Sequence, residues 1–307
     1  MDFTKTTDRP SEGKVSVQKS VQRCQAGTMA AAATMRDRRV DLYVSLARGG
    51  CNTELALEAH GVASVAQLTP FLAQDLQAED NKLRSTALFM CATCRHELYR
   101  EFDLKILTEC CAEAIRGPNN EPGSRHASAT LAIRALAKTL SCAYHFPPEG
   151  EDEDGVEKYL RLIVGCAFEA SRHEGNEAAA AMSVCALKGL ESLARMVTEH
   201  PACGPGGGDA VGKVADKSGS SSPSHFFWNA RRKRASFERD LRTVLAEGVT
   251  GARGTDQFGD LLACLGEHAR PAALSCARRC LEICPPADGL QAHLWASYSP
   301  FRSQVGE

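Results

Sequence analysis

Aromatic residues are scarce in this sequence, at 6% of 307 residues, and runs of β-branched residues are equally rare. Alternating apolar and polar segments, and Asn-Gly turns between apolar segments, are missing, although both are typical of β-sheets. Alanine and leucine dominate instead, and both favour helix because they lose little side-chain entropy there. The composition therefore predicts an all-α protein.

No apolar stretch approaches the roughly 18 to 20 residues that a membrane-spanning helix needs. The opening residues, MDFTKTTDRPSEGK, lack the apolar segment of a secretory signal, and the acids Asp2, Asp8 and Glu12 are untypical of a transit peptide. The formal net charge of −2 gives the whole chain no strong attraction to nucleic acid or anionic membranes. These absences predict a protein of the cytoplasm, the nucleus or both.

Apolar residues recur at helical spacing over most of the chain, with glycine or proline where the segments end. This pattern predicts single helices over 81–101 and 156–173, helix resuming at about residue 229, and a short helix over 290–298. The predicted organisation is a disordered arm (1–33), helical repeats (34–200), a Gly/Ser/Pro-rich linker (201–228), further repeats (229–298) and a tail (299–307).

Taken in pairs, the predicted helices recur roughly every 40 to 50 residues, over 35–61, 64–101, 103–144, 156–199 and 233–268. This spacing resembles that of armadillo and HEAT repeats, whose units contain two or three helices over about 40 to 47 residues. The resemblance is architectural, because no residue signature aligns between the units. It implies an α-solenoid of stacked antiparallel helix pairs, with a compact helical bundle as the alternative.

Residues 91–96, CATCRH, raise the question of a metal or redox site. A structural zinc site usually takes its four ligands from two paired clusters, and no second C-x2-C or H-x3-H pair exists. On one continuous helix, Cys91 and Cys94 share a face, whereas His96 lies about 140° from Cys91. A redox pair would need a neighbouring βαβ unit. We therefore predict that both cysteines are core residues.

The other cysteines lead to the same interpretation, since 14 cysteines in a chain without a secretory signal favour small buried thiols over disulfides. Cys276, Cys280 and Cys284 continue an apolar stripe that also contains Ala273, Ala277 and Leu281. A metal on that face would need ligands from another helix, with His268 as the nearest candidate.

Enzymatic motifs are not convincing. Gly207, Gly212 and Lys213 match the spacing of a phosphate-binding loop, but Val214 stands where a hydroxyl would bind Mg²⁺, and no strand precedes the loop. The acidic run EDEDG at 151–155 lacks the ligand spacing of a calcium loop. We therefore predict no enzymatic activity, cofactor or metal.

The densest basic run is Arg231, Arg232, Lys233 and Arg234, within HFFWNARRKRASFERDLR at 225–242. It is interpreted either as a solvated first turn of helix, as a targeting or regulatory segment, or as a nucleic-acid contact. Ser236 follows the arginines in a context that resembles basophilic kinase sites, and a phosphate there would add about −1.5 to −2 charges.

The sequence as a whole favours a non-enzymatic scaffold or adaptor that binds protein partners on a helical-repeat surface. Two alternatives stay open. One is a helical enzyme or enzyme subunit with a site of dispersed His, Asp and Glu residues, and the other is a nucleic-acid adapter that uses the basic run.

Overall fold

The computed structural model describes residues 35–48, 53–117, 122–147, 155–202, 223–250 and 252–284. Every regular element within these ranges is a helix, and they contain no strand. The prediction of an all-α protein is therefore confirmed. The predicted arm at 1–33, the helix at 290–298, the tail at 299–307 and most of the predicted linker lie outside the described residues.

Twelve α-helices account for most of the described chain. They are α1 (35–48), α2 (Thr53–Ala59), α3 (Leu68–Leu76), α4 (Asn81–Thr93), α5 (Leu104–Arg116), α6 (Pro122–His145), α7 (Glu157–Ala167), α8 (Glu169–Arg172), α9 (Glu177–Glu199), α10 (Pro223–Leu245), α11 (Ala252–Cys264) and α12 (Arg270–Ile283). Short 3₁₀ helices span Val65–Gln67 and His96–Arg100, and a π-helical turn spans Ala246–Thr250.

Three helices begin at a short polar side chain that accepts hydrogen bonds from the first turn. Asp80 caps α4, Asp103 caps α5 and Asn176 caps α9, each at 3.0 to 3.2 Å from one or two backbone amides. The first amides of a helix have no partner within the helix, so these caps fix where it starts.

The single helix predicted over 81–101 is wrong. Helix α4 ends at Thr93, Cys94 has an extended backbone with φ −62° and ψ 159°, and the 3₁₀ helix His96–Arg100 follows. The break directs Tyr99 into the core, where its hydroxyl donates a hydrogen bond to the Cys91 carbonyl. Burial of a large side chain together with a satisfied hydroxyl favours the break over continued helix.

Two other helix limits differ from the sequence-based prediction. The segment 156–173 divides into α7 and α8 at Phe168, which is buried and makes an edge-on ring contact with Phe258. Helix α10 begins at Pro223, so residues 223–228, which the sequence pattern assigned to the linker, are helical. Proline is well suited to the first turn of a helix, where its missing amide costs nothing.

The helices contact one another in chain order. Helices α4, α6, α9 and α12 form one row in which each contacts the next. Helices α3, α5 and α7 pack beside α4, α6 and α9 respectively, and α3 also contacts α5. Tyr159 and Lys158 of α7 reach Glu109 of α5, and α10 packs against α7.

Helices α6 and α9 pack closely against each other. A Cβ atom added at Gly189 would lie 3.1 Å from the Cβ atom of Ala137, so glycine permits this approach of the two backbones. Between residues 128 and 144 most side chains of α6 are buried, and many of them are alanine. Small residues therefore make α6 the central helix of the described structure.

Candidate functional site

The predicted basic run forms the middle of helix α10. Arg232 is exposed, whereas Arg231, Lys233 and Arg234 are partly buried. Four consecutive residues on a helix point in four directions about 100° apart, so they cannot form one surface patch. The structure therefore separates residues that the sequence treats as a unit.

Arg234 is directed at the C-terminal end of helix α6. Its Nε atom donates to the Tyr144 carbonyl at 2.9 Å, and its Nη2 atom donates to the His145 carbonyl at 3.0 Å. The guanidinium also lies 5.6 Å from the centre of the Tyr144 ring. The last carbonyls of a helix lack partners and carry partial negative charge, so Arg234 caps α6.

Arg242, two turns further along α10, makes a second contact of the same kind. Its Nη1 atom donates at 2.7 Å to the carbonyl of Ile283, the last residue of α12. Two arginines of α10 thus join it to the ends of two other helices. This part of the basic charge has a structural role.

Ser236 lies inside α10, half-buried, and its hydroxyl accepts a hydrogen bond from Arg239 at 3.0 Å. Access by a kinase would require local opening of the helix, because the neighbouring Phe237 is buried. Phosphorylation of Ser236 stays a prediction.

A basic stripe that the sequence analysis missed runs along α6. Between residues 128 and 145 the charged or titratable side chains that reach the surface are Arg134, Lys138 and His145, and Ser141 lies between the last two. We call these four residues the α6 stripe. Their spacing of three or four positions puts them on one face. Neither α4 nor α6 contains a single Asp or Glu, which is the signal by which the stripe could have been found.

The α6 stripe continues onto the neighbouring helix α9. Burial raises the pKa of the Cys185 thiol, while a hydrogen bond from Arg134 and the charge of Lys188 lower it. Both cations are therefore close to the same thiol, at the boundary between α6 and α9. Lys188 is exposed, which extends the positive surface beyond the stripe itself.

Three histidines meet at the C-terminal end of the stripe. The ring centres of His145 and His96 are 6.0 Å apart, and those of His145 and His200 are 5.5 Å apart. We call His96, His145 and His200 the histidine cluster. Burial lowers the pKa of His145, and its neighbours His200, His96, Arg234 and Lys138 lower it further. Arg234 thus connects the predicted basic run to the α6 stripe.

The only contact in this region that resembles a catalytic pair joins Cys142 and His96, among the residues that the structure describes. The Cys142 Sγ atom lies 3.2 Å from the Nδ1 atom of His96. Cys142 is inaccessible to solvent, and burial raises the pKa of its thiol to about 12. A catalytic cysteine needs the opposite change, a lowered pKa and access to substrate, so the pair does not favour an enzyme.

The cysteines of CATCRH are core residues, as predicted. Cys91 and Cys94 are 0% and 1% exposed, although the continuous helix assumed in that prediction is interrupted between them and His96. Cys276, Cys280 and Cys284 are buried as well, Leu281 is partly buried and His268 is exposed. No group of three or more metal-ligating side chains occurs in the described part of the chain.

We expect the buried thiols to resist alkylation in the native protein. Hydrogen bonding from Cys111 and burial raise the pKa of Cys91, and Cys276 and burial do the same for Cys280. Burial also raises the pKa of Cys264, but this thiol is partly exposed. Because the reaction needs both thiolate and access, iodoacetamide should modify Cys264 before these four buried cysteines, which should react only after unfolding. Peptide mapping by mass spectrometry, with and without denaturant, tests this order. Equal native rates at Cys91 and Cys264 would contradict it.

Gly207, Gly212, Lys213 and the acidic run at 151–154 lie outside the described residues. No helix within the described ranges is long and apolar enough to cross a membrane. No protein-family model, curated protein or solved structure matches this chain.

Proposed function

We propose that this protein is a non-enzymatic scaffold of the armadillo/HEAT-like α-solenoid type, acting in the cytoplasm or nucleus, and that it binds an acidic segment of a partner protein along the α6 stripe. Support for the solenoid comes from the contacts in chain order. The later helices of successive pairs contact one another in the order α4, α6, α9, α12. Helices α3, α5 and α7 pack beside α4, α6 and α9 respectively. Stacked helix pairs of this kind offer an extended surface to partners.

The observation that carries the proposal is the charge of the central helix. Between residues 128 and 145 most side chains of helix α6 are buried, and the charged side chains that reach the surface there, Arg134, Lys138 and His145, are all basic. At a rise of 1.5 Å per residue they extend over about 16 Å, which matches four to five residues of an extended segment. Such a surface attracts a complementary acidic partner and favours its register.

A peptide fits this surface better than a nucleic-acid backbone does. Ser141 and the partly exposed Leu131 lie among the cations of α6, and Phe89 on the adjacent α4 is 42% exposed. A mixture of apolar and cationic side chains is typical of protein interfaces. Nucleic-acid surfaces carry denser positive charge and aromatic platforms for the bases.

Charge reversal on the α6 stripe tests the proposal. We expect the double variant Arg134→Glu/Lys138→Glu to lose at least about tenfold of its affinity for acidic partners, because attraction becomes repulsion at the centre of the surface. Partners captured by cross-linking would be quantified by mass spectrometry for wild type and variant, and the acidic segment of the most depleted partner would then be titrated as a synthetic peptide. The matched control is Arg172→Glu, an exposed arginine of α8 that pairs with Glu169 and donates to the Gly165 carbonyl, away from the α6 stripe.

Equal peptide affinity for wild type and the double variant would contradict the proposal. Loss of all capture after nuclease treatment would instead favour the nucleic-acid adapter. Circular dichroism would confirm that each variant keeps its helix content, since surface substitutions usually change stability by no more than about 0.5 kcal/mol.

A further inference from the structure

The histidine cluster brings together side chains from three separate elements. His96 begins a 3₁₀ helix, His145 is the last residue of α6, and His200 follows the last residue of α9. All three residues are at least partly exposed. The ring centre of His145 lies 6.0 Å from that of His96 and 5.5 Å from that of His200. At these distances neighbouring rings meet edge to face, so a small group would bind at the exposed edge of the cluster and not between two rings.

Two permanent cations border the cluster. Lys138 lies two turns before His145 on the α6 stripe and lowers the pKa of both His96 and His145. Arg234 approaches from α10 and lowers the pKa of His145 as well. The positive charge at this point therefore comes from α6 and α10 together.

Two carboxylates lie near these cations. Glu238 already accepts the Tyr144 hydroxyl at 2.7 Å and the Ala202 amide at 2.5 Å. Glu97 only partly offsets the lowering of the pKa of His96. The charges of Glu238 and Glu97 offset those of Lys138 and Arg234, so an anion is favoured over a cation through His96 and His145, whose imidazolium forms it would stabilise.

The contact with Cys142 favours one tautomer of His96. The Cys142 thiol keeps its proton, because burial raises its pKa to about 12, and an imidazole nitrogen is a stronger acceptor than sulfur. We therefore expect the thiol to donate to Nδ1, which favours the neutral tautomer of His96 with its proton on Nε2. An N–H group binds oxygen acceptors, whereas a metal would require that nitrogen to be bare.

We propose that the histidine cluster, with Lys138 and Arg234, binds a phosphate monoester carried by the partner segment. This inference rests on the proposed function and names the chemistry at one end of the α6 stripe. A monoester carries nearly two negative charges on three oxygens, and its second pKa is about 6. Three imidazoles and two cations grouped within a small area match that concentrated charge better than the single, regularly spaced charges of a nucleic-acid backbone.

Binding of the anion should be coupled to proton uptake. The neutral forms of His96 and His145 are favoured in the ligand-free protein, since burial lowers the pKa of each. A bound dianion favours the imidazolium form, so it raises both pKa values. Affinity should consequently fall as the pH rises above the range in which these histidines titrate.

The test uses the full chain and phenyl phosphate as the probe, followed through the histidine ring signals in proton–carbon NMR spectra. We expect saturable shifts of the His96, His145 and His200 signals with a Kd of about 1 mM or tighter. The His145→Gln variant should bind about tenfold more weakly, because a charged donor is lost. The control His173→Gln removes an exposed histidine that pairs with Glu169 on α8 and should leave the Kd unchanged.

Three outcomes would overturn the inference: no saturable shift up to about 10 mM, equal shifts from acetate at the same ionic strength, or tighter binding of a single-stranded oligonucleotide to the same histidines. The proposed function fails separately. If phenyl phosphate does not bind but peptide binding still depends on Arg134, the phosphate site is wrong and the scaffold stands. If phenyl phosphate binds while the Arg134→Glu/Lys138→Glu variant keeps its peptide affinity, the proposed function is wrong and the phosphate site stands.

Discussion

Replacing Asp75 by alanine is expected to lower the free energy of unfolding of the α1–α3 contact by about 3 to 5 kcal/mol. Asp75 lies in α3, and its side chain is 2% exposed. One carboxylate oxygen pairs with Arg39 at 2.8 Å, and the other accepts the hydroxyl of the fully buried Tyr43 at 2.7 Å. Both partners belong to α1, so this carboxylate is the main polar link between the two helices.

The size of the effect follows from what the substitution leaves behind. Burial raises the pKa of Asp75, although the Tyr43 hydrogen bond and Arg39 both lower it, so the ionised carboxylate depends on these partners. Without it, the Tyr43 hydroxyl and the largely buried Arg39 lose their acceptor. The Nε atom of Arg39 already has no hydrogen-bond partner in the described structure. An uncompensated buried charge costs far more than the intact pair contributes.

Hydrogen exchange of residues 35–48 and 68–76, together with urea unfolding, measures the change. The control Asp37→Ala removes an exposed carboxylate whose ion pairs with Arg36 and Lys82 both measure 3.7 Å, and it should cost less than about 1 kcal/mol. Asp75→Asn keeps an acceptor for Tyr43 but not the charge, so an intermediate loss of about 1 to 3 kcal/mol is expected. Equal stability of Asp75→Ala and Asp37→Ala would rule out a role for this link.

Local patterns were enough to predict much of the secondary structure. Helical spacing of apolar residues, capping side chains such as Asp103 and Asn176, and glycines at segment ends depend on neighbours within a few positions. The burial of Cys91 and Cys276 follows from the same periodicity. The break at Cys94 does not, because it depends on where Tyr99 is accommodated in the core.

The candidate site was less accessible to sequence reasoning because its contacts join distant residues. His96 and Cys142 are separated by 46 positions, and Arg234 and Tyr144 by 90. The basic run attracted attention as a cluster along the chain, yet helix geometry disperses it. The α6 stripe is inconspicuous along the chain, because its cations are three or four positions apart between apolar residues. The feature that reveals the stripe is the absence of Asp and Glu from α6, which a search for motifs does not detect.

Replacing Arg234 by alanine is expected to lower the free energy of unfolding by about 3 kcal/mol. The substitution removes two charge-assisted hydrogen bonds, to the carbonyls of Tyr144 and His145, and a positive charge at the negative end of the α6 dipole. Arg234→Lys should recover part of the loss, because an ammonium keeps the charge but cannot reproduce the fork of donors. Urea unfolding measures the total loss in the free energy of unfolding, and hydrogen exchange of α10 and of the last turn of α6 shows where the structure is destabilised.

The matched control lies three residues earlier on the same helix. Arg231→Ala removes the same charge from a side chain without a hydrogen-bond partner in the described structure, so a change within about 0.5 kcal/mol is expected. Equal losses for Arg231→Ala and Arg234→Ala would mean that the cap on α6 contributes nothing to stability.

If Arg234 holds α10 against α6, then replacing all four residues 231–234 separates α10 from α6 and disturbs His145 at the same time. Any loss of binding in that variant would mix lost charge with lost structure. Only substitutions that spare Arg234 can therefore measure what the basic surface does for a partner.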